Sequence, residues 1–498
     1  MSANQSLPHS PPTRGLIAWA IYVLHFHPLA KYPGPKSWLF TRIPFARGLR
    51  TGTLIHRMKA LHDQYGPIVR YGVNDLSYAD GQAWKDIYGF HGGAAKNFDR
   101  DPRFYQPAVN GAHSILSANN LKHPYIRRLL APAFTEAAVR DQESVLQHYS
   151  SLLITKLQSH ARKDGPPHPV NLTDFYQFTT FDVAGDLMFG ETFGCLERED
   201  FHPWLSVMRA FFRRLLIGAS FVALVPAVRP WLRYLVPRRL QEATKQRFAF
   251  TVDRIDRRLA QGEQNDRPDF ITHMLRASDR MGIQTARPEI DSTFDVLVSA
   301  ASETSSTGLI AATGYLLRNP KALARLQTEL RDAFQTSDAI TLAGVSAMPF
   351  LTAVLKEAMR LTPPSPTLRP RVVPAGGAVI CGQWVPEGVC VGIPHWSTYR
   401  NANNFSRPDD FLPERWLAPE DGGIVLERHE VKAFNPFSYG PRGCLGKPLG
   451  WAEMRLVLAK VLWYFDLSET GPGNRWELQQ SFVGWDVKPL MVALREVS

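Results

Sequence analysis

Phe437-Ser438-Tyr439-Gly440-Pro441-Arg442-Gly443-Cys444-Leu445-Gly446 is the stretch on which the reading of this chain turns. One cysteine sits in a loop crowded with glycine and proline, two residues after an arginine. Gly440, Gly443 and Gly446 permit positive φ and a close approach to a flat partner. A tight turn there aims backbone N–H groups at the sulfur, and such donors, together with a metal, hold a thiolate at low pKa. Phe437 is expected beside the sulfur, keeping water out, and Arg442 is expected to meet a carboxylate. Pro448 to Leu456 reads as a helix, whose N-terminal dipole adds to thiolate stabilisation. A buried, inert cysteine in a Gly-rich turn has the same local composition, so the choice falls to motifs elsewhere.

Pro288 to Leu317 reads as one long helix with Ser299-Ala300-Ala301-Ser302-Glu303-Thr304-Ser305-Ser306 at its centre. An acid inside an apolar helix is costly unless used or paired, which singles out Glu303 and its neighbour Thr304, although a surface acid beside a core hydroxyl has the same pattern. Phe350 to Leu361 is a second helix, stopped by Pro363-Pro364, with Glu357 and Arg360 three apart on one side. Phe411-Leu412-Pro413-Glu414-Arg415-Trp416 follows it. In Leu121 to Leu130, His123 and Arg127 are four apart and share a helix face. Pro67 to Gly72 and Asp75 to Tyr78 read as strands about a turn at Val73-Asn74, and Ala83 to Tyr88 as a short helix. Residues 90–118 are irregular, broken by Gly92, Gly93, Pro102 and Pro107. Asp141 to Lys163 and Asn171 to Gly190 are amphipathic helices.

The pattern Phe-x-x-Gly-x-Arg-x-Cys-x-Gly, complete in residues 437–446, resembles the haem-ligand loop of the cytochrome P450 family. The order Glu357-x-x-Arg360, then a Pro-Glu-Arg motif ending in Trp416, then the cysteine loop, is also similar to that family, and the resemblance runs from Tyr32 to Leu494. It implies a mainly α fold with a smaller β region (α+β), a single catalytic domain over residues 31–498 and a long central helix. It implies haem b, with Cys444 as the axial ligand of the iron. In the family a Trp or His at the position of His123, and a basic residue at that of Arg127, bond a haem propionate. Arg371 best matches a further propionate arginine, with Arg369 as its competitor. The helix motif departs at one place: Ala301 stands where the family has glycine, narrowing the room for dioxygen. Glu357, Arg360 and Arg415 are implied to form a buried network serving folding and haem retention. The loop 90–118 is implied to arch over the haem, giving Phe104, Tyr105 and Ile115 as substrate contacts; Ala300, Thr367, Leu368 and Phe482 complete the candidate pocket.

The chain has 498 residues, enough for about three domains by length alone, but no linker or repeat divides it. A net charge of +11 favours acidic partner proteins or anionic lipid. No basic run interleaved with aromatics marks a nucleic-acid site. Cys195, Cys381, Cys390 and Cys444 are too few and scattered for a disulfide framework, which fits a reducing compartment. Leu16 to Leu24 is apolar without a break, yet short of the roughly 20 residues that span a bilayer. Residues 15–30 read as a shortened or monotopic anchor, or as a helix lying on the catalytic domain. The proline-rich segment that follows resembles the hinge of fungal microsomal members, which makes residues 1–30 an anchor and places the enzyme at the endoplasmic reticulum, facing the cytosol. Leu215 to Val228, flanked by Arg213, Arg214, Arg229, Arg233, Arg238 and Arg239, suits an interfacial segment, although a core helix with solvated ends has the same composition.

The implied activity is insertion of one oxygen atom of O2 into a lipophilic small molecule in fungal secondary metabolism, with trichothecene C-15 hydroxylases as the subfamily most similar. Electrons are expected from NADPH through a flavoprotein, NADPH–cytochrome P450 reductase, with cytochrome b5 as a further donor. Lys122, Arg128, Arg442 and Lys447 are the candidate docking face. The competing reading is a haem-thiolate enzyme that couples phenols or isomerises without oxygen transfer.

Overall fold

The computed structural model describes residues 13–162, 169–205, 207, 216–220, 237–262, 269–282, 286–471 and 475–497. Its frame is the helix Arg287–Leu317, begun by Pro288 in the first turn, where a missing N–H costs nothing. From Ser305 to Gly314 nearly every residue is buried, so this segment crosses the core instead of lying on it. Its many hydroxyls fit there because they bond back to the helix's own carbonyls: Ser302 Oγ to Val298 O at 2.9 Å, Ser306 Oγ to Ser302 O at 3.0 Å, Thr307 Oγ1 to Glu303 O at 2.7 Å. It packs most extensively on the helix Leu172–Phe189, and then on Pro349–Leu361 and Lys447–Tyr464.

Local chemistry sets the helix ends. Asn171 accepts from Thr173 N–H and starts Leu172–Phe189, and Gly190 stops it at φ 69°. The expected helix from Asp141 to Lys163 is Glu143–Ala161, set off by Gln142 at φ −93°, ψ 8° from a short preceding helix, Glu136–Asp141, that Thr135 caps.

Beside the helices lies a five-stranded sheet in the order Ile68–Gly72, Asp75–Tyr78, Cys390–Gly392, Arg371–Val372, Asp99–Arg100. The outermost pair sets Arg100 opposite Arg371, and Arg371 opposite Val391. A second sheet pairs Val170–Asn171 and Phe465–Glu469 with Met491–Glu496, and Ala378–Ile380 forms a hairpin with Gln383–Val385.

Near the N-terminus the helix Thr13–Ile21 runs into a wider turn, Tyr22–Phe26. Leu16, Ile17, Trp19 and Phe26 are exposed, whereas Val23 and Leu29 are fully buried and Arg70 Nη1 donates to Val23 O at 3.0 Å. The segment is therefore held to the domain at its C-terminal end. Among the described residues no helix is long and apolar enough to cross a membrane. Of the expected interfacial segment Leu215 to Val228 only 216–220 are described: they are helical, and Leu216 and Ala219 pack on the cluster of Trp38, Phe45 and Leu49. Arg238 and Arg239 are exposed at the start of Arg238–Ala260, while Arg213, Arg214, Arg229 and Arg233 lie outside the described residues.

Candidate active site

Two backbone bonds shape the cysteine loop: Cys444 N–H donates to Phe437 O at 2.8 Å, and Gly443 N–H to Gly440 O at 2.9 Å. Gly440 has φ 70°, and a Cβ there would collide with the Tyr88 carbonyl, so only glycine fits. Of the three loop glycines, all of which permit positive φ, Gly440 is the one that adopts it. Gly443 and Gly446 have φ −58° and −81°, and Ser438 takes the left-handed conformation at φ 63°. Phe437 packs its ring on Trp451, 5.6 Å between centroids, and on Gly450.

Cys444 lies deep in the protein, yet its side chain faces open internal surface and counts as exposed. Burial pushes its thiol above the ordinary value; Arg369, the Gly446 N–H, Arg127 and Lys447 pull it back down. The expected low pKa is thus not a property of the chain alone. A metal's charge is needed to keep the thiolate.

Around the loop converge the helix His123–Leu130 and the strands Asp99–Arg100 and Arg371–Val372. Arg127 Nη1 donates to Gly443 O at 2.7 Å, tying that helix to the residue before the cysteine. Arg442 turns inward to Asn120 Oδ1 at 3.0 Å and Asp99 Oδ1 at 3.2 Å, which removes it from the expected docking face. Lys122, also exposed, pairs with Glu289 at 2.6 Å, while exposed Arg128 and Lys447 form no ion pair among the described residues. Arg371 is buried beside the Tyr88 ring, and Arg100 stacks on Tyr105 at 4.4 Å.

Burial and the neighbouring guanidinium groups of Arg442, Arg100, Arg127 and Arg371 push the His123 imidazole down to about 2, so it is neutral. Burial likewise lowers Arg100 to about 9 and Arg442 to about 10. Arg100 Nε, Arg369 Nε, Arg371 Nη1 and Arg442 Nη1 are buried without hydrogen-bond partners. Unpaired buried donors of one sign fit a ligand that brings carboxylates, which the two propionates of haem supply. The residues present therefore fit haem. Sequence reading ranked Arg369 second and missed Arg100 and Asp99 altogether, since strand pairing across 271 positions is what joins Arg100 to Arg371.

On the central helix Ala300 and Thr304, one turn apart, are both exposed to the interior, and Thr304 Oγ1 donates to Ala300 O at 2.8 Å. Glu303 is half-buried, its carboxylate 3.8 Å from where a Cβ on Gly484 would lie. The C-terminal turn bridged at Ser481 and Trp485 thereby reaches the acid–alcohol pair. Ser305, on the next position, hydrogen-bonds the carboxyl of buried Glu453, which burial pushes up to about 8; no motif marks this pair.

Glu357, Arg360 and Arg415 form a network with side chains at 0% exposure. Glu357 accepts from Arg360 Nη2 at 2.8 Å, Arg415 Nε at 3.0 Å, Leu412 N–H at 3.0 Å and the Trp416 indole at 2.8 Å. Arg360 adds bonds to the carbonyls of Tyr399, Pro408 and Asp410.

The candidate pocket residues do not form one group. Phe104 and Leu368 pack on the cluster of Trp38, Phe45 and Leu49, Ile115 lies in the main core, and Phe482 sits against Gly52. Tyr105 belongs with Arg100, and Thr367 is half-buried.

The family model for cytochrome P450 matches residues 32–492. A cytochrome P450 monooxygenase, efuB, of Hormonema carpetanum is 39% identical over 97% of this chain and 94% of its own. A second, atr2, of Stereocaulon alpinum is 39% identical over 96% of this chain and 92% of its own. Averantin hydroxylase of Dothistroma septosporum is 37% identical over 96% and 90%. On this coverage, and with the sulfur, the cationic cradle and the acid–alcohol helix in place, the chain belongs to the cytochrome P450 family.

Proposed function

We propose that this protein is a haem-thiolate monooxygenase that hydroxylates or epoxidises a lipophilic small molecule in fungal secondary metabolism. The observation that carries the reading is the mutually close set of partnerless guanidinium nitrogens on Arg100, Arg369, Arg371 and Arg442, of which Arg369 also acts on Cys444, with Glu303 and Thr304 on the central helix. When bound, the haem supplies dioxygen activation and C–H oxidation. Cys444 would ligate the iron; Arg371, Arg442, Arg127, Arg100 and His123 would hold the propionates. Inserting one oxygen atom consumes two electrons and two protons and releases the other atom as water. Thr304 Oγ1 presents a hydroxyl on the open face of the helix, where it can hold and pass a proton. Glu303 is placed to bring protons from the C-terminal turn. Thr304 makes the same kind of back-bond to a helix carbonyl as Ser302, Ser306 and Thr307, but those three are buried and Thr304 alone of the four is exposed.

In this reading residues 1–30 attach the catalytic domain 31–498 to the cytosolic face of the endoplasmic reticulum. The exposed Leu16, Ile17 and Trp19 support that contact. Electrons come from NADPH through its flavoprotein reductase, for which Arg128 and Lys447 offer exposed positive charge. The test is twofold. Reduced, carbon-monoxide-treated protein gives a thiolate-type Soret band that Cys444→Ala abolishes, and reductase-driven turnover under labelled O2 puts one labelled atom into product. An imidazole-type band, or product without label, refutes the proposal.

A further inference from the structure

Arg369 stands in the segment Ser365-Pro366-Thr367-Leu368-Arg369-Pro370-Arg371. Pro370 restricts the residue before it to extended backbone, in which neighbouring side chains take opposite sides. Leu368 packs on the cluster of Trp38, Phe45 and Leu49, which turns Arg369 the other way, to the side of Arg371. The backbone there is held: the Tyr88 hydroxyl donates to Arg369 O at 2.8 Å, and Trp396 N–H to Pro366 O at 3.3 Å. Of the charges acting on the Cys444 thiol, Arg369 is the largest, and it also acts on Arg100, Arg371 and His395. His395 cannot serve as its counter-ion. Burial, and after it Arg369, lowers that imidazole to about 3. Its Nδ1 donates to Ser365 O at 2.6 Å, which leaves Nε2 a buried acceptor without a partner.

Five guanidinium groups, on Arg100, Arg127, Arg369, Arg371 and Arg442, thus share this interior with one paired carboxylate, that of Asp99. Four of them have neighbours that suit them. Arg127 donates to Gly443 O and Arg442 to Asn120 and Asp99, while Arg371 and Arg100 lie over the rings of Tyr88 and Tyr105 at 5.3 and 4.4 Å. The same four surround His123. Among the described residues Arg369 has no carbonyl, amide, carboxylate or ring against its guanidinium, and its Nε is buried bare. Haem brings two carboxylates, which with Asp99 makes three anions for five cations. We infer that Arg369 anchors a carboxylate of the substrate, so that the molecule oxidised is a lipophilic acid. A guanidinium fork takes a carboxylate through two parallel N–H bonds, and a neutral isostere leaves it bare, so such a site discriminates strongly. On the monooxygenase reading, on which this rests, the oxidised carbon belongs to the hydrocarbon part of the acid. A haem propionate offers Arg369 the same carboxylate chemistry, and the two sources separate by experiment.

Haem-loaded full-length protein is titrated with dodecanoic acid, 2-naphthoic acid and 9-anthracenecarboxylic acid, each against its methyl ester. The Soret shift reads binding, and a pyridine haemochrome assay reads haem per protein. At least one acid should bind about tenfold or more tighter than its ester, the discrimination that one charge-assisted contact supplies. Arg369→Leu should erase that preference by weakening the acid about tenfold, with the ester within about twofold and haem content unchanged. Arg371→Gln, by contrast, should lose haem. Three acids that bind no tighter than their esters overturn the inference. So does an Arg369→Leu protein that loses haem, or that weakens acid and ester alike, since a propionate is then the anion. Should Arg369→Leu fail to fold, Arg369→Gln carries the same expectations and the same refutation. Failure of the monooxygenase reading shows separately, as loss of the thiolate-type Soret band with the acid preference intact.

Discussion

Glu453→Gln should stabilise the protein, and increasingly so as pH rises. Glu453 lies in the helix that follows the cysteine loop, is 3% exposed, and has one carboxyl oxygen without a partner. Burial raises its carboxyl from 4.5 to about 8. The folded protein therefore keeps this proton to a pH at which the unfolded chain has released it. Stability from this group is complete below the unfolded value and is lost as pH climbs from there to the folded value. The loss is about 1 kcal/mol at pH 5 and about 3 kcal/mol at pH 7, levelling off above the folded pKa. Glutamine has the same shape, keeps a partner for Ser305 and never ionises, so it escapes the loss. Unfolding of haem-loaded parent and variant, compared at pH 5.5 and pH 7.5, reads the difference. A variant no more stable at pH 7.5, or a gain of equal size at both values, would refute the argument that burial keeps this acid neutral.

Glu357→Ala leaves Arg360 and Arg415 buried without their anion and should cost about 3–5 kcal/mol, seen as loss of haem retained per protein through purification. Burial lowers His62 from 6.5 to about 4 while its ring bonds Gly66 O and Ser77 Oγ. A base that folding keeps neutral contributes stability above the unfolded value and loses it as pH falls to the folded one, here up to about 3 kcal/mol; His62→Gln should flatten the acid limb of the stability profile by one proton. Thr304→Ala should leave NADPH consumption running while product per NADPH falls about tenfold or more and peroxide appears. Equal coupling in parent and variant would remove Thr304 from proton delivery.

What could be read before the structure was local. Cys444 and its glycines, Glu357 with Arg360, and Glu303 with Thr304 each sit within a few residues of one another, so spacing alone exposes them. The helix caps at Asn171 and Gly190 are equally local. The rest is made by long-range pairing. Arg100 meets Arg371 only because two short strands share a sheet edge, and Glu453 meets Ser305 only because two helices cross. Trp416, at the end of the Pro-Glu-Arg motif, is a fourth donor to Glu357 through its indole N–H, a bond no hydrocarbon side chain could supply. Which of the three loop glycines uses its freedom is again a long-range matter: Gly440 takes positive φ, and the Tyr88 carbonyl occupies the space of its side chain.

The crowd of guanidinium groups near the cysteine loop has a consequence for how this enzyme accumulates in a cell. Without a dianion between them, Arg100, Arg369, Arg371 and Arg442 repel one another with nitrogens left unbonded, so the newly made polypeptide completes its interior only when the cofactor arrives as counter-ion. Yield in a heterologous host should then follow porphyrin and iron supply more closely than transcript level, with the surplus chain cleared by proteases.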